Sequence, residues 1–138
     1  MLDENDVINA VCVHLVKIEG YVIVQKLSTT QQGIDIIVKH PQFNRRLLIE
    51  AKGGTSSKEG SNRFGKSYTM TQVFDRVSKG FFTTACMYAK DRKDTDQVAL
   101  ACPDNEWFRK YLNQIKSVLE FLGIKVLLVK EDRAVTYL

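Results

Sequence analysis

Two apolar runs separated by one short turn constrain this chain more than anything else in it. They are IDIIVKH (34–40) and RRLLIEAK (45–52), joined by PQFN, and each carries a single carboxylate, Asp35 and Glu50, where a buried strand would carry another aliphatic residue. A short turn between two strand-like runs predicts an antiparallel hairpin. Centring that turn between Gln42 and Phe43 sets Ile37 opposite Leu48, Asp35 opposite Glu50 and Gly33 opposite Lys52. Side chains alternate along a strand, so Asp35, Glu50 and Lys52 fall on one face. Ile34, Ile36, Val38, Leu47, Ile49 and Ala51 fall on the other. Like charges directly opposed across a hairpin destabilise it, so a pair such as Asp35 and Glu50 calls for something that offsets the repulsion. A divalent cation does this: Mg²⁺ uses one or two protein carboxylates and keeps its remaining positions for water and phosphate oxygens. A lysine beside such a pair suits phosphodiester chemistry, where charge develops on phosphorus oxygens. The same residues would also suit a solvated strand edge, on which single charges are common.

The rest of the chain predicts an α/β domain. Val7, Ile8, Val11, Leu15 and Ile18 recur at helical spacing after Asp3, and Gly20 ends the run. YVIVQKL (21–27) reads as a strand leading into a polar turn or irregular edge. Val73, Val77, Phe81 and Ala85 mark a second helix over 69–88, with Gly80 as its weak point. QVALACP (97–103) is a buried strand closed by proline, 105–123 a third helix stopped by Gly123, and 124–132 another strand before AVTYL. Nothing between 1 and 138 divides the chain, which reads as a single domain of helices around a mixed sheet.

Between β-like and helical segments lies GGTSSKEGSNRFGKS (53–67), with four glycines, four serines and three basic residues. It reads as a mobile basic loop, used either as a phosphate-contacting flap or as ordinary polar surface. Lys58, Arg63 and Lys66 in it, with Arg76 and Lys79 on the helix beyond, are the candidate nucleic-acid contacts. A net charge of +4 and a pI of about 9.0 fit such a partner. Phe64 and Tyr68 could stack on bases or anchor the loop ends in the core. Trp107, Phe108, Tyr111, Leu112, Ile115, Leu119 and Phe121 give the third helix more apolar groups than one face needs, a surplus that a homodimer could cover.

Other chemistries find no footing. Cys12, Cys86 and Cys102 are widely spaced in apolar surroundings, His14 and His40 are isolated, and no Ser-His-Asp or Cys-His arrangement or phosphate-binding glycine motif appears. The acidic opening MLDENDVINA is unlike a secretory signal, and no apolar run reaches membrane-spanning length, so the expected setting is cytoplasmic.

A helix and strand (with GYVIVQ), then GID around Asp35, IEAK around Glu50 and Lys52, and a following helix resemble the PD-(D/E)xK nuclease superfamily, near the archaeal Holliday junction resolvases and Mrr-type nucleases. The resemblance covers roughly residues 4 to 90. It implies a restriction-endonuclease-like mixed β-sheet flanked by helices, with Asp35, Glu50 and the Ala51 carbonyl as ligands for Mg²⁺, Mn²⁺ substituting. It implies that Lys52 is the catalytic lysine and the protein a DNA endonuclease, acting as a homodimer and leaving 5′-phosphate and 3′-hydroxyl ends. Mrr-like members often carry a glutamine on the second helix, here Gln72, a position that also suits a solvated helix face. Many members have a glutamate on the first helix; counting back from Gly20 puts Asn9 there, and Glu4 or Glu19 would serve only with a different helix phase. The proline of the signature is replaced by Ile34. The alternative is a catalytically inactive nuclease-fold module that binds DNA or assembles with other proteins.

Overall fold

The computed structural model describes residues 1–56 and 66–138. Lys58, Arg63 and Phe64 of the predicted basic loop therefore lie outside the described residues. Helices α1 (Glu4–Lys17), α2 (Met70–Cys86), α3 (Glu106–Gln114) and α4 (Lys116–Leu122) flank strands β1 (Val22–Lys26), β2 (Ile36–Lys39), β3 (Arg46–Ala51), β4 (Gln97–Pro103), β5 (Lys125–Val129) and β6 (Val135–Tyr137). The six strands form one mixed sheet in chain order: β1, β2 and β3 antiparallel, β3, β4 and β5 parallel, and β6 antiparallel on β5. Among the described residues no helix is long and apolar enough to cross a membrane.

The sheet has two apolar faces because its central strands are buried on both sides, as parallel strands under helices are. On one face Leu47, Ile49 and Ala51 of β3 join Ala99, Ala101, Leu127 and Val129 under Val7, Ile8, Val11 and Leu15 of α1. On the other, Leu100, Cys102, Val126 and Leu128 pack beneath Val73 and Val77 of α2 and Phe108, Leu112 and Leu119 of α3 and α4. Leu48 and Val98 continue that second face with Met87, where α2 runs on into a π-helical turn over Met87–Asp91.

The hairpin has the register read from the sequence: Ile36 pairs with Ile49, Ile37 with Leu48, Val38 with Leu47 and Lys39 with Arg46. Ile34 departs from the expected alternation. It packs with Ile37 and Leu48, on the side opposite Ile36. The cause is a bend ahead of β2, where Gly33 takes φ 129°, a region open to glycine. The third predicted helix is two, broken at Ile115 (φ −112°, ψ 10°). Phe108, Leu112, Ile115, Leu119 and Leu122 keep their three- and four-residue spacing across the break, so the apolar pattern carries no mark of it.

Gly80 sits buried inside α2, and the reason is space: a Cβ there would come within 2.9 Å of Leu100 Cδ1 and 3.3 Å of Lys52 Cγ. The helix lies against the end of β3 by virtue of that missing methyl. Gly53 serves the same end from the other face, since a Cβ would strike the backbone of Asp3 and Glu4. The start of α1 therefore rests directly on the exit of β3. Asp3 and Asp6 fix that start with reciprocal side-chain to backbone bonds of 2.8 and 3.0 Å. Gly54 N–H donates to the Leu2 carbonyl at 2.7 Å. The β3–β4 ladder closes with Lys52 N–H donating to the Ala101 carbonyl at 2.9 Å; Pro103, ending β4, has no N–H to extend it.

Candidate active site

Three elements converge where β3 leaves the sheet. Asp35 precedes β2, Glu50 is the penultimate residue of β3, and Lys52 follows it. Asp35 and Glu50 are 7% and 8% exposed, unusual for carboxylates lacking an arginine partner. Asp35 Oδ2 accepts the Ala51 N–H at 2.9 Å, which turns the backbone of Ala51 toward Asp35. Lys52 Nζ lies 3.5 Å from Glu50 Oε2, largely shielded from solvent with it. Burial pushes the Glu50 carboxyl up to about 8, and a hydrogen bond to Asp35 and the charge of Asp35 add to the rise; Lys52 opposes it. The rise favours the neutral form of Glu50 beside the charge of Asp35.

Glu4, at the first position of α1, completes the surroundings. Burial raises its carboxyl as well, followed by the charge of Asp35, while Lys52 and Arg76 pull the other way. Of the acids weighed from the sequence for the first helix, Glu4 is the one near the pair. Glu19 lies elsewhere, bonded to His14 Nε2 at 2.8 Å and to the Tyr137 hydroxyl at 2.6 Å, so His14 has a partner that its isolation in the sequence hid. Asn9 is exposed along a separate cleft with His14, Ile18 and Arg133. The signal for Glu4 was its place next to the Asp3 cap; what brought it to the site is the close approach at Gly53.

Glu4 and Arg76 line a cleft of about 200 Å³ with Thr29, Gly53, Thr55, Ser56 and Tyr68. Arg76 Nη2 donates to the Tyr68 hydroxyl at 3.1 Å, and its guanidinium sits 5.0 Å from the ring centroid. Tyr68 is thus used as an anchor: it packs against the second core face and steadies Arg76. Gln72 is not brought to the carboxylates. It forms a capping box at the start of α2, its Oε1 accepting the Thr69 N–H at 2.9 Å and its own N–H donating to Thr69 Oγ1 at 3.3 Å. Lys66 and Lys79 are exposed.

The donor set is small. Among the described residues no three or more His, Cys, Asp or Glu side chains form a metal-holding group. What is present is two crowded carboxylates, a backbone turned toward them and a lysine, with one further acid nearby. That set fits a hard divalent ion that takes its remaining ligands from water and substrate.

No family model and no curated protein matches the chain. The fold matches the crystal structure of a FdxN element excision controlling factor protein from Anabaena variabilis, with a TM-score of 0.51, 15% identity, and coverage of 96% of this chain and 98% of that one. The structure of Pyrococcus furiosus SfsA in complex with Ca²⁺ aligns at a TM-score of 0.36 and 12% identity, over 96% of this chain and 58% of that one.

Proposed function

We propose that this protein is a Mg²⁺-dependent endodeoxyribonuclease of the PD-(D/E)xK kind, with a restriction-endonuclease-like fold, cutting DNA that is branched or otherwise marked for restriction or repair. One observation carries the reading: two carboxylates, Asp35 and Glu50, are buried together beside a lysine 3.5 Å from one of them. Such a pair is costly to a fold that does not use it. Asp35 and Glu50, with the Ala51 carbonyl and Glu4 at hand, would hold the metal, which when bound polarises phosphate and acidifies water. Lys52, kept in place by Glu50 and by the α2 surface at Gly80, presents its ammonium to the charge that builds on the phosphate oxygens. Arg76, braced by Tyr68 at the cleft, binds a backbone phosphate and fixes the strand's position. Lys66 adds electrostatic attraction at the surface, which salt would weaken.

The test is cleavage of branched, single-stranded and duplex DNA with Mg²⁺ or Mn²⁺ by the natural protein, Asp35→Ala and Lys52→Ala. Loss of cutting in both variants supports the assignment; activity surviving both removes it. A second reading, a nuclease-shaped module that binds DNA or assembles without turnover, is favoured by one observation. The Anabaena variabilis protein of like fold is named as a factor controlling excision. DNA binding with no cleavage of any of the three substrates would select it.

A further inference from the structure

The outer face of α2 carries an apolar stripe that nothing among the described residues covers. Met70, Phe74 and Phe82 are 41%, 50% and 70% exposed, and Ser78, between the two phenylalanines, is exposed too. Positions 70, 74, 78 and 82 are each four apart, so they run as one line along a helix. Tyr111 of α3 meets Phe74 edge-on at 5.4 Å and widens the stripe, with Lys110 close to Met70 and to the Trp107 and Tyr111 rings. The surplus apolar surface expected on the third helix is present on α4, where Val118 and Phe121 are 46% and 89% exposed, and α2 carries a further stripe. Trp107 and Tyr111 themselves are partly buried against the core.

The charges beside the stripe say what covers it. Asp75 and Lys79 are exposed on one flank of α2, and among the described residues neither takes part in an ion pair or hydrogen bond. A second α2 laid antiparallel about a two-fold axis through Ser78 meets this surface in a complementary way. Ser78 faces its own copy, and its small side chain permits close approach. Phe74 faces the partner's Phe82, twice. Two-fold symmetry brings like flanks together, so Asp75 lies about 3 Å along the axis from the level of the partner's Lys79, at ~1.5 Å rise per residue. Two symmetric ion pairs close the same flank.

We infer that the Met70, Phe74, Ser78 and Phe82 face of α2 is a two-fold interface with a second copy of this chain, registered by Asp75 and Lys79. This does not rest on the nuclease reading, since it uses no residue of the carboxylate pair. It gives Lys79 an acidic protein partner in place of DNA. Arg76, on the neighbouring side of each α2, stays with its own cleft.

The experiment is sedimentation velocity of the full chain over a concentration series, with circular dichroism to show that each variant is folded. The natural protein sediments as a dimer. Asp75→Lys sets lysine against lysine and Lys79→Asp sets aspartate against aspartate, each weakening the dimer by about tenfold or more. Mixing these two variants in equal amounts restores both ion pairs and brings back the dimer, an outcome that loss of folding cannot mimic. Phe82→Ser leaves a folded monomer. A natural protein that stays monomeric throughout overturns the inference. So does a dimer indifferent to both charge reversals, or one dissolved by Phe121→Ser on α4 and untouched by Phe82→Ser.

Discussion

Asp96 and Glu50 are equally buried, each 8% exposed, and lie at the two ends of the same pair of strands. Asp96, just before β4, receives the Arg46 N–H at 3.3 Å, Arg46 Nε at 3.1 Å, Arg46 Nη2 at 2.6 Å and the Lys93 N–H at 3.1 Å. Burial works against its charge, yet the Arg46 side chain and the two backbone donors outweigh it, and the carboxyl is held below the usual range. Glu50, facing the same desolvation, has another carboxylate for a neighbour and one lysine at 3.5 Å, and rises to about 8. A carboxylate that holds a fold is surrounded by donors. Glu50 is surrounded by competition instead.

The contrast is tested most severely by removing each charge in turn. Glu50→Gln is expected to lower DNA cleavage by about 10²- to 10³-fold, the scale of losing one transition-state contact, while raising the thermal midpoint of the metal-free protein at pH 8. A variant that lost stability along with activity would show that Glu50 serves the fold after all. Asp96→Asn should cost ~2 kcal/mol, the order of hydrogen bonds to a charged group, and leave cleavage unchanged in folded protein. Both are read from melting curves and a nuclease assay.

The pH dependence should split the two ends as well. Glu50 has a folded value near 8 against an ordinary value of 4.5, so unfolding releases its proton between those limits. Its contribution is most favourable below about pH 4.5 and is lost as pH rises toward 8, in the metal-free protein. Asp96, with a lowered folded value, contributes above its ordinary value of 3.8 and loses that contribution as pH falls. Denaturant unfolding of Glu50→Gln across this range should remove the decline toward pH 8 and keep the loss in acid. The smallest effect belongs to Tyr137→Phe, which deletes the 2.6 Å bond to Glu19 on exposed surface and should cost ~1 kcal/mol or less with no change in cleavage.

The hairpin register was legible because alternation and turn length leave a short antiparallel pair few choices, and a slip would send Leu47 and Ile49 to the wrong face. Glu4 was not legible, for its arrival depends on Gly53 touching the backbone of α1, a contact between segments far apart in the chain. Gln72 could have been placed better. The Thr69-x-x-Gln72 spacing is a capping signature, and it competes directly with the catalytic role that a resemblance suggests. The break at Ile115 and the side taken by Ile34 both needed backbone angles that no apolar pattern encodes.

The order of the strands has a consequence for when the site can exist. Glu4, Asp35, Glu50, Lys52 and Arg76 have all been synthesised before the first residue of β4, Gln97. Yet β3 is held along its far edge by β4, from Leu47 opposite Gln97 to Ala51 opposite Ala101. A nascent chain that ends in α2 thus holds every residue of the proposed site and lacks the strand that keeps them in line. The late half of the sequence sets the moment at which these early residues come into register.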